Sequence, residues 1–235
     1  MAGGLFVAGT DTDVGKTVVA CALLLALARS HRRVAGFKPV AAGAERTPEG
    51  LRNPDAAWLA KFSTVSLGYE QVNPVALEPA MAPHIAARAT GVPLEVHFLQ
   101  ECRQRLGSMA QVIVTEGAGG WLVPLGDGSD MADLAAAIGD PVVLVVGMKL
   151  GCLNHALLTA TSIRARGCTL AGWVANRVDP GMAAFRENLD TLAQRLECPS
   201  LGVIPWLGDV PMERKVELAS RAMDETLLRT ILATD

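Results

Sequence analysis

The stretch GTDTDVGKT, residues 9–17, stands between the apolar runs LFVA (5–8) and VVACALLLALA (18–28). It closes on Gly15-Lys16-Thr17, the end of a phosphate-binding loop, but its first glycine comes one residue earlier than the pattern G-x-x-x-x-G-K-[ST] requires. A loop between a strand and a helix points successive backbone N–H groups, and the helix N-terminus, at an anion. In that setting Lys16 reaches the outer phosphates and the Thr17 hydroxyl ligates Mg²⁺. Thr10, Asp11, Thr12 and Asp13 make this loop polar. The charge on Asp13 is tolerable near phosphates only beside a cation.

Outward from the loop, short apolar runs alternate with longer helical patterns, the signature of βαβ units and a parallel sheet. The expected fold is α/β: a doubly wound, mostly parallel sheet of the P-loop NTPase type in one domain, residues 1–235. Strands are predicted over Leu5–Ala8, Val34–Val40, Val112–Thr115, Val142–Val146, Leu170–Ala175 and Ser200–Ile204. Helices are predicted over Gly15–Ser30, Pro54–Phe62, Leu94–Leu106, Ala132–Ile138, Asn154–Arg166 and Ala183–Leu196, with a helical tail from Glu213. Prolines at 74, 79, 83 and 93 forbid long helices between Ser63 and Pro93, so that segment reads as mostly irregular and covering. No internal repeat or low-complexity tract interrupts the chain.

Half of the 235 residues are hydrophobic, enough for a large core. A net charge of −3 offers no global attraction to nucleic acid or to an anionic membrane, and neither partner is expected. The run Val18–Ala28 is too short to span a bilayer and suits a buried helix. With no basic leader and five cysteines (21, 102, 152, 168 and 198) free of C-x-x-C pairing, the chain reads as cytoplasmic with reduced thiols. The histidines lack metal-ligand spacing, and His84 and His155 read as loop or helix residues.

Other residues carry chemistry. Glu116 follows the apolar run VIVT, and an acid at the end of a buried strand is what Mg²⁺ coordination opposite a phosphate loop needs. Gly117, Gly119 and Gly120 let backbone approach a ligand. Asp55 is open to two readings, a further metal ligand or a first-turn carboxylate that favours the helix N-terminus. Lys38, beside Pro39, is either a surface charge or a cation at a strand end that stabilises a transferring phosphoryl group. The turn Gly151-Cys152-Leu153-Asn154 is either an Asn-capped helix start or a second anion site suited to a carboxylate.

Taken in order, GTDTDVGKT, GFKPVAAGAERTPEGLRNPDA, VNP with PHIAA, VTEGAGGWLVPL, LVVGMKLGCLNHALLTA, LAGWVANRV and LGVIPWL resemble the dethiobiotin synthetase family across nearly the whole chain. The early glycine is that family's own form of the loop. The resemblance implies an ATP- and Mg²⁺-dependent ligase of biotin biosynthesis, a homodimer. Such an enzyme carboxylates 7,8-diaminononanoate with CO₂, phosphorylates the carbamate and closes the ring. It implies that Lys16 and Lys38 attend the carbamate and γ-phosphate, that Thr17, Asp55 and Glu116 hold Mg²⁺, and that Thr12 lies at the diamine. It places the nucleotide against Asp13, Val14, Gly15, Val18, Gly117, Ala118 and Gly119, with Asn176, Arg177, Pro205, Trp206 and Leu207 around the base. An amide at Asn176 suits the donor–acceptor edge of adenine. Ala42 belongs to the substrate site, and Gly151–Asn154, supplied by the second subunit, receive the substrate carboxylate.

The chain departs from the family's pattern at two positions. Ala42 stands where Ser is frequent, and Asp13 where Glu is common. Neither change removes a charge that the chemistry requires. Two alternatives fit less well. A cobalamin-type amide ligase needs a second, glutamine-hydrolysing domain, and a partition-type ATPase carries an extra lysine early in its loop, where Gly9–Val14 has none.

Overall fold

The computed structural model describes residues 3–126 and 128–233. The chain runs β1 (Gly3–Gly9), α1 (Lys16–Leu27), β2 (Val34–Phe37), β3 (Val40–Ala42), β4 (Glu45–Thr47), β5 (Gly50–Arg52), α2 (Pro54–Phe62) and α3 (Tyr69–Val72). It continues through β6 (Val75–Leu77), α4 (Pro83–Thr90), α5 (Val96–Leu106), β7 (Val112–Glu116), β8 (Pro124–Gly126), β9 (Ser129–Asp130) and α6 (Met131–Ile138). The last third holds β10 (Val142–Gly147), α7 (Cys152–Ala165), β11 (Leu170–Asn176), α8 (Phe185–Arg195), β12 (Ser200–Ile204), α9 (Met212–Arg221) and α10 (Glu225–Ala233).

Six strands form the central sheet in the order β12-β11-β10-β1-β7-β2, every pair parallel. Successive side chains of a strand point to opposite faces, and here both faces are covered. On β1, Leu5 and Val7 join one core with α1, while Phe6 joins the other with Leu144 of β10 and Trp173 of β11. This is why the strands read as unbroken apolar runs. Helix α1 is buried almost all round, packed between the sheet, α2 and α9, as the run Val18–Ala28 implied. Burial of its leucines stabilises by about 2 kcal/mol each. Because the strands are parallel, their C-terminal ends (Phe37, Gly9, Glu116, Gly147, Asn176 and Ile204) share one edge. Ligands of such sheets bind there.

Three local expectations are corrected. The predicted strand Val34–Val40 ends at Phe37, and the chain restarts at Val40 as β3, paired with β6 in a separate sheet. Pro39 has no N–H for a ladder and marks the switch. The segment 63–93 is more ordered than its prolines suggested, holding α3, β6 and α4. Pro83 opens α4 in its first turn, a position where the missing N–H costs nothing. The helix predicted from Asn154 begins at Cys152, with Gly151 as its N-cap, so Asn154 does not cap it.

Candidate functional site

The loop after β1 wraps the start of α1. Thr10 N–H donates to the Val145 carbonyl at 3.0 Å, tying the loop to β10. Asp13 takes a left-handed conformation (φ 58), which Asp tolerates better than most residues. Gly15 caps α1 at φ 86 with no side-chain hydrogen bond, leaving the first N–H groups of the helix to a ligand. A Cβ at Gly15 would lie 2.2 Å from Asn176 Nδ2, so glycine is required for space as well as for conformation. Asn176, at the end of β11, donates from Nδ2 to the Val14 carbonyl at 2.8 Å.

Behind this loop lies a compact set of charges. Lys16 is buried, and its ammonium donates to the Asp11 carbonyl at 2.9 Å. Burial, reinforced by the Lys38 charge, lowers its pKa to about 8. Lys38 is also buried, with its ammonium 2.7 Å from Glu116 Oε1 and 3.0 Å from Asp55 Oδ2. Burial works against the Lys38 charge, but the two carboxylates more than offset it and hold its pKa above the ordinary lysine value. Burial pushes the Glu116 carboxyl up against the pull of Lys38, whereas Lys38 overcomes burial at Asp55 and holds that carboxyl low. The Thr17 hydroxyl donates to Glu116 Oε1 at 2.9 Å. Lys38 is thus no surface charge. Asp55 lies in the first turn of α2 while Asn53 supplies the cap, accepting from the Asp55 N–H at 3.0 Å.

Thr17, Asp55 and Glu116 present a hydroxyl and two carboxylates, the hard oxygen donors that Mg²⁺ prefers. Glu116 Oε2 is buried with no hydrogen-bond partner, an acceptor that a cation would satisfy. Among the described residues no group of three or more His, Cys, Asp or Glu could hold a metal by itself.

Two cavities meet over this cluster. One, about 490 Å³, is walled by Ala41, Ala42, Asn53, Ala80–Pro83, Ala118 and Val123. The other, about 410 Å³, is walled by Asp13, Gly15, Lys16, Thr17, Val18, Trp58, Glu116 and Met212. Thr12, Lys38, Asp55 and Gly119 line both. The Gly117 carbonyl lies 3.5 Å from the Lys38 ammonium, and Val14 is buried behind the loop.

Other expected residues stand outside the two cavities. Arg177 N–H donates to the Ile204 carbonyl at 3.0 Å, so Asn176–Arg177 and Pro205–Leu207 are neighbours at the ends of β11 and β12; Trp206 is half-exposed. The turn Gly151–Asn154 lines neither cavity. It is linked to the loop through Lys149, whose ammonium lies 3.3 Å from Asp11 Oδ2. Sequence reasoning missed Asn53, Tyr69 and Asn73, which support the site from below. The Asn53-Pro54 pair was a readable N-cap signal. Trp58 and Met212, on helices distant in sequence, carried no readable signal.

A parallel sheet with a strand–loop–helix phosphate cradle and an opposed acid defines a P-loop nucleotide-binding protein of the α/β class. A family model described as an AAA domain matches residues 3–214. The MinD cell division protein of Aquifex aeolicus shares the fold with a TM-score of 0.59 at 15% identity, covering 97% of each chain. The MinD cell division ATPase of Pyrococcus furiosus gives 0.55 at 20% identity, covering 98% of this chain and 99% of that one. At such identities the likeness concerns the fold alone. Sequence relatives are more specific. The ATP-dependent dethiobiotin synthetase BioD of Nitrosospira multiformis is 52% identical over 88% of this chain and 89% of its own. That of Vibrio vulnificus is 48% identical over 95% of this chain and 97% of its own. The chain belongs to the dethiobiotin synthetase family.

Proposed function

We propose that the protein forms dethiobiotin from 7,8-diaminononanoate, CO₂ and ATP, at the junction of the two cavities. The carrying observation is that junction: Thr12, Lys38 and Asp55 line both chambers, beside buried Lys16 and Glu116 and the half-buried Thr17. The nucleotide phosphates occupy the chamber at Gly15–Val18, with the base toward Asn176, Arg177 and Pro205–Leu207. The diamine occupies the chamber at Thr12 and Ala42.

One amine nitrogen attacks CO₂ and loses a proton, giving a carbamate. A carbamate oxygen attacks the γ-phosphorus while its bond to ADP breaks. The second amine attacks the carbamoyl carbon, and phosphate leaves. Carbamate and triphosphate are both anions, so their approach needs cations held in place, and Lys16 and Lys38 supply two. Thr17, Asp55 and Glu116 would hold Mg²⁺, which would supply charge neutralisation to the phosphates. Lys38, paired to both carboxylates where the two cavities meet, holds a positive charge at the place where the phosphoryl group transfers.

A second subunit supplies Gly151–Asn154 to the substrate carboxylate. Leu150, 95% exposed beside that turn, and the exposed Leu158 on α7 give apolar surface that a second copy would cover. A cytoplasmic location belongs to this reading. Among the described residues no helix is long and apolar enough to cross a membrane.

Mg²⁺-dependent ADP release should require both diamine and bicarbonate, with dethiobiotin appearing by mass spectrometry. ADP release indifferent to the diamine would overturn this reading. Light scattering tests the dimer, and a fully active monomer would refute the partner-supplied carboxylate site.

A further inference from the structure

Lys38 stands one residue beyond β2, where the chain leaves the central sheet. Its backbone is held instead by the α3 segment. The Lys38 N–H donates to the Val72 carbonyl at 2.7 Å, and the Lys38 carbonyl accepts from Asn73 Nδ2 at 2.7 Å. The same Nδ2 donates to the Val75 carbonyl at 3.1 Å. Asn73 Oδ1 accepts from the Tyr69 hydroxyl at 3.0 Å, and that hydroxyl accepts the Asn53 N–H at 2.6 Å. Asn53 in turn takes the Asp55 N–H on Oδ1 and donates from Nδ2 to the Ala42 carbonyl at 3.2 Å.

The run therefore begins on the backbone of Lys38 and ends on the backbone of Asp55, whose side chains meet 3.0 Å apart at the cavity junction. Each bond fixes the direction of the next: flipping the Asn73 amide would aim its oxygen at two carbonyls. Asn53 and Asn73 are both buried, so water cannot replace a lost partner cheaply. The Arg52 guanidinium lies 4.2 Å over the Tyr69 ring and holds the phenol in place.

We propose that Tyr69, with Asn73, is a positioning residue for the reaction: its hydroxyl joins the two backbone segments that aim Lys38 and Asp55 at the transferring phosphoryl group. This rests on the reading of Lys38 given above. A satisfied buried network would exist for stability alone in any case, so the test must separate stability from aim.

A double-mutant cycle does so, with turnover measured at saturating substrates and referred to folded protein by thermal melting. Lys38→Ala should lower kcat about 100-fold. Tyr69→Phe should lower kcat about 10-fold, with KM for ATP within about twofold of the wild type. In the Lys38→Ala background, Tyr69→Phe should change kcat by less than about threefold, because the Lys38 part of its route is gone and only Asp55 is left for it to aim. An equal further loss in that background overturns the proposal and leaves Tyr69 merely structural, as does no loss in the wild type. An unaffected Lys38→Ala enzyme instead overturns the reading of Lys38. The chain has one tyrosine, so 3-fluorotyrosine labelling gives a single ¹⁹F resonance in the intact protein. That resonance should shift when a non-hydrolysable ATP analogue, Mg²⁺ and diamine are added together; an unmoved resonance counts against the coupling.

Discussion

Two turns in this molecule are built alike. β1 leads through Gly15 into α1, and the adjacent β10 leads through Gly151 into α7. Both glycines are N-caps in the left-handed region, at φ 86 and φ 94, and neither helix has a side-chain cap. Each leaves helix N–H groups available to an anion. What surrounds them differs. The first turn is packed against Asn176 and backed by Lys16, Lys38 and Glu116, whereas nothing lies within 4 Å of a Cβ built at Gly151. Local geometry makes both turns anion-ready; only the neighbours give one of them a buried cluster of charge, which the proposed function uses for phosphoryl transfer. The other stands open beside an exposed leucine, as a site that a second subunit completes would.

Substituting both glycines should break the likeness. Gly15→Ala combines left-handed strain with a clash at Asn176, and should weaken MgADP binding by about 100-fold in calorimetry while the protein still melts cooperatively. Undiminished affinity would mean that the Asn176 contact yields freely.

The buried lysine sharpens the contrast through pH. In the proposed function phosphate binds the Lys16 ammonium, whose pKa is lowered to about 8 chiefly by burial. Nucleotide affinity should therefore be flat below about pH 8 and fall by up to about tenfold per unit above it. Folding carries the opposite sign: the unfolded lysine keeps its proton to higher pH, so this group adds stability as pH rises from about 8 toward its unfolded value. Calorimetric titrations and thermal melts across that range, with Lys16→Arg as the flat control, check both signs.

The smallest effect is expected at the second turn. Gly151→Ala meets no atom and should cost only conformational strain, about 1 kcal/mol, lowering Tm by about 2–4 °C. MgADP affinity should not change. A loss as large as that of Gly15→Ala would show that the two turns share one function.

Much of this was readable along the chain. The apolar runs marked all six central strands, because a parallel sheet covered on both faces keeps polar residues to the strand ends. The prolines misled between 63 and 93, since proline breaks a helix from within but opens one at its first turn, as Pro83 does. Lys38 and Asp55 each had two readings while they stood alone. Their 3.0 Å pairing, with Glu116 on the same Lys38 ammonium, makes them one cluster.

The sequence by itself determined the phosphate loop, the acid at the end of β7 and the family, since these depend on residue type at fixed spacing. The tertiary structure alone decided that Lys38 is buried between two carboxylates, that Asn176 braces Gly15, and that Tyr69 and Asn73 join Lys38 to Asp55. Those contacts bring together segments far apart in the chain. Their energy comes from burial and complementary charge, which exist only once the sheet has placed its strand ends along one edge.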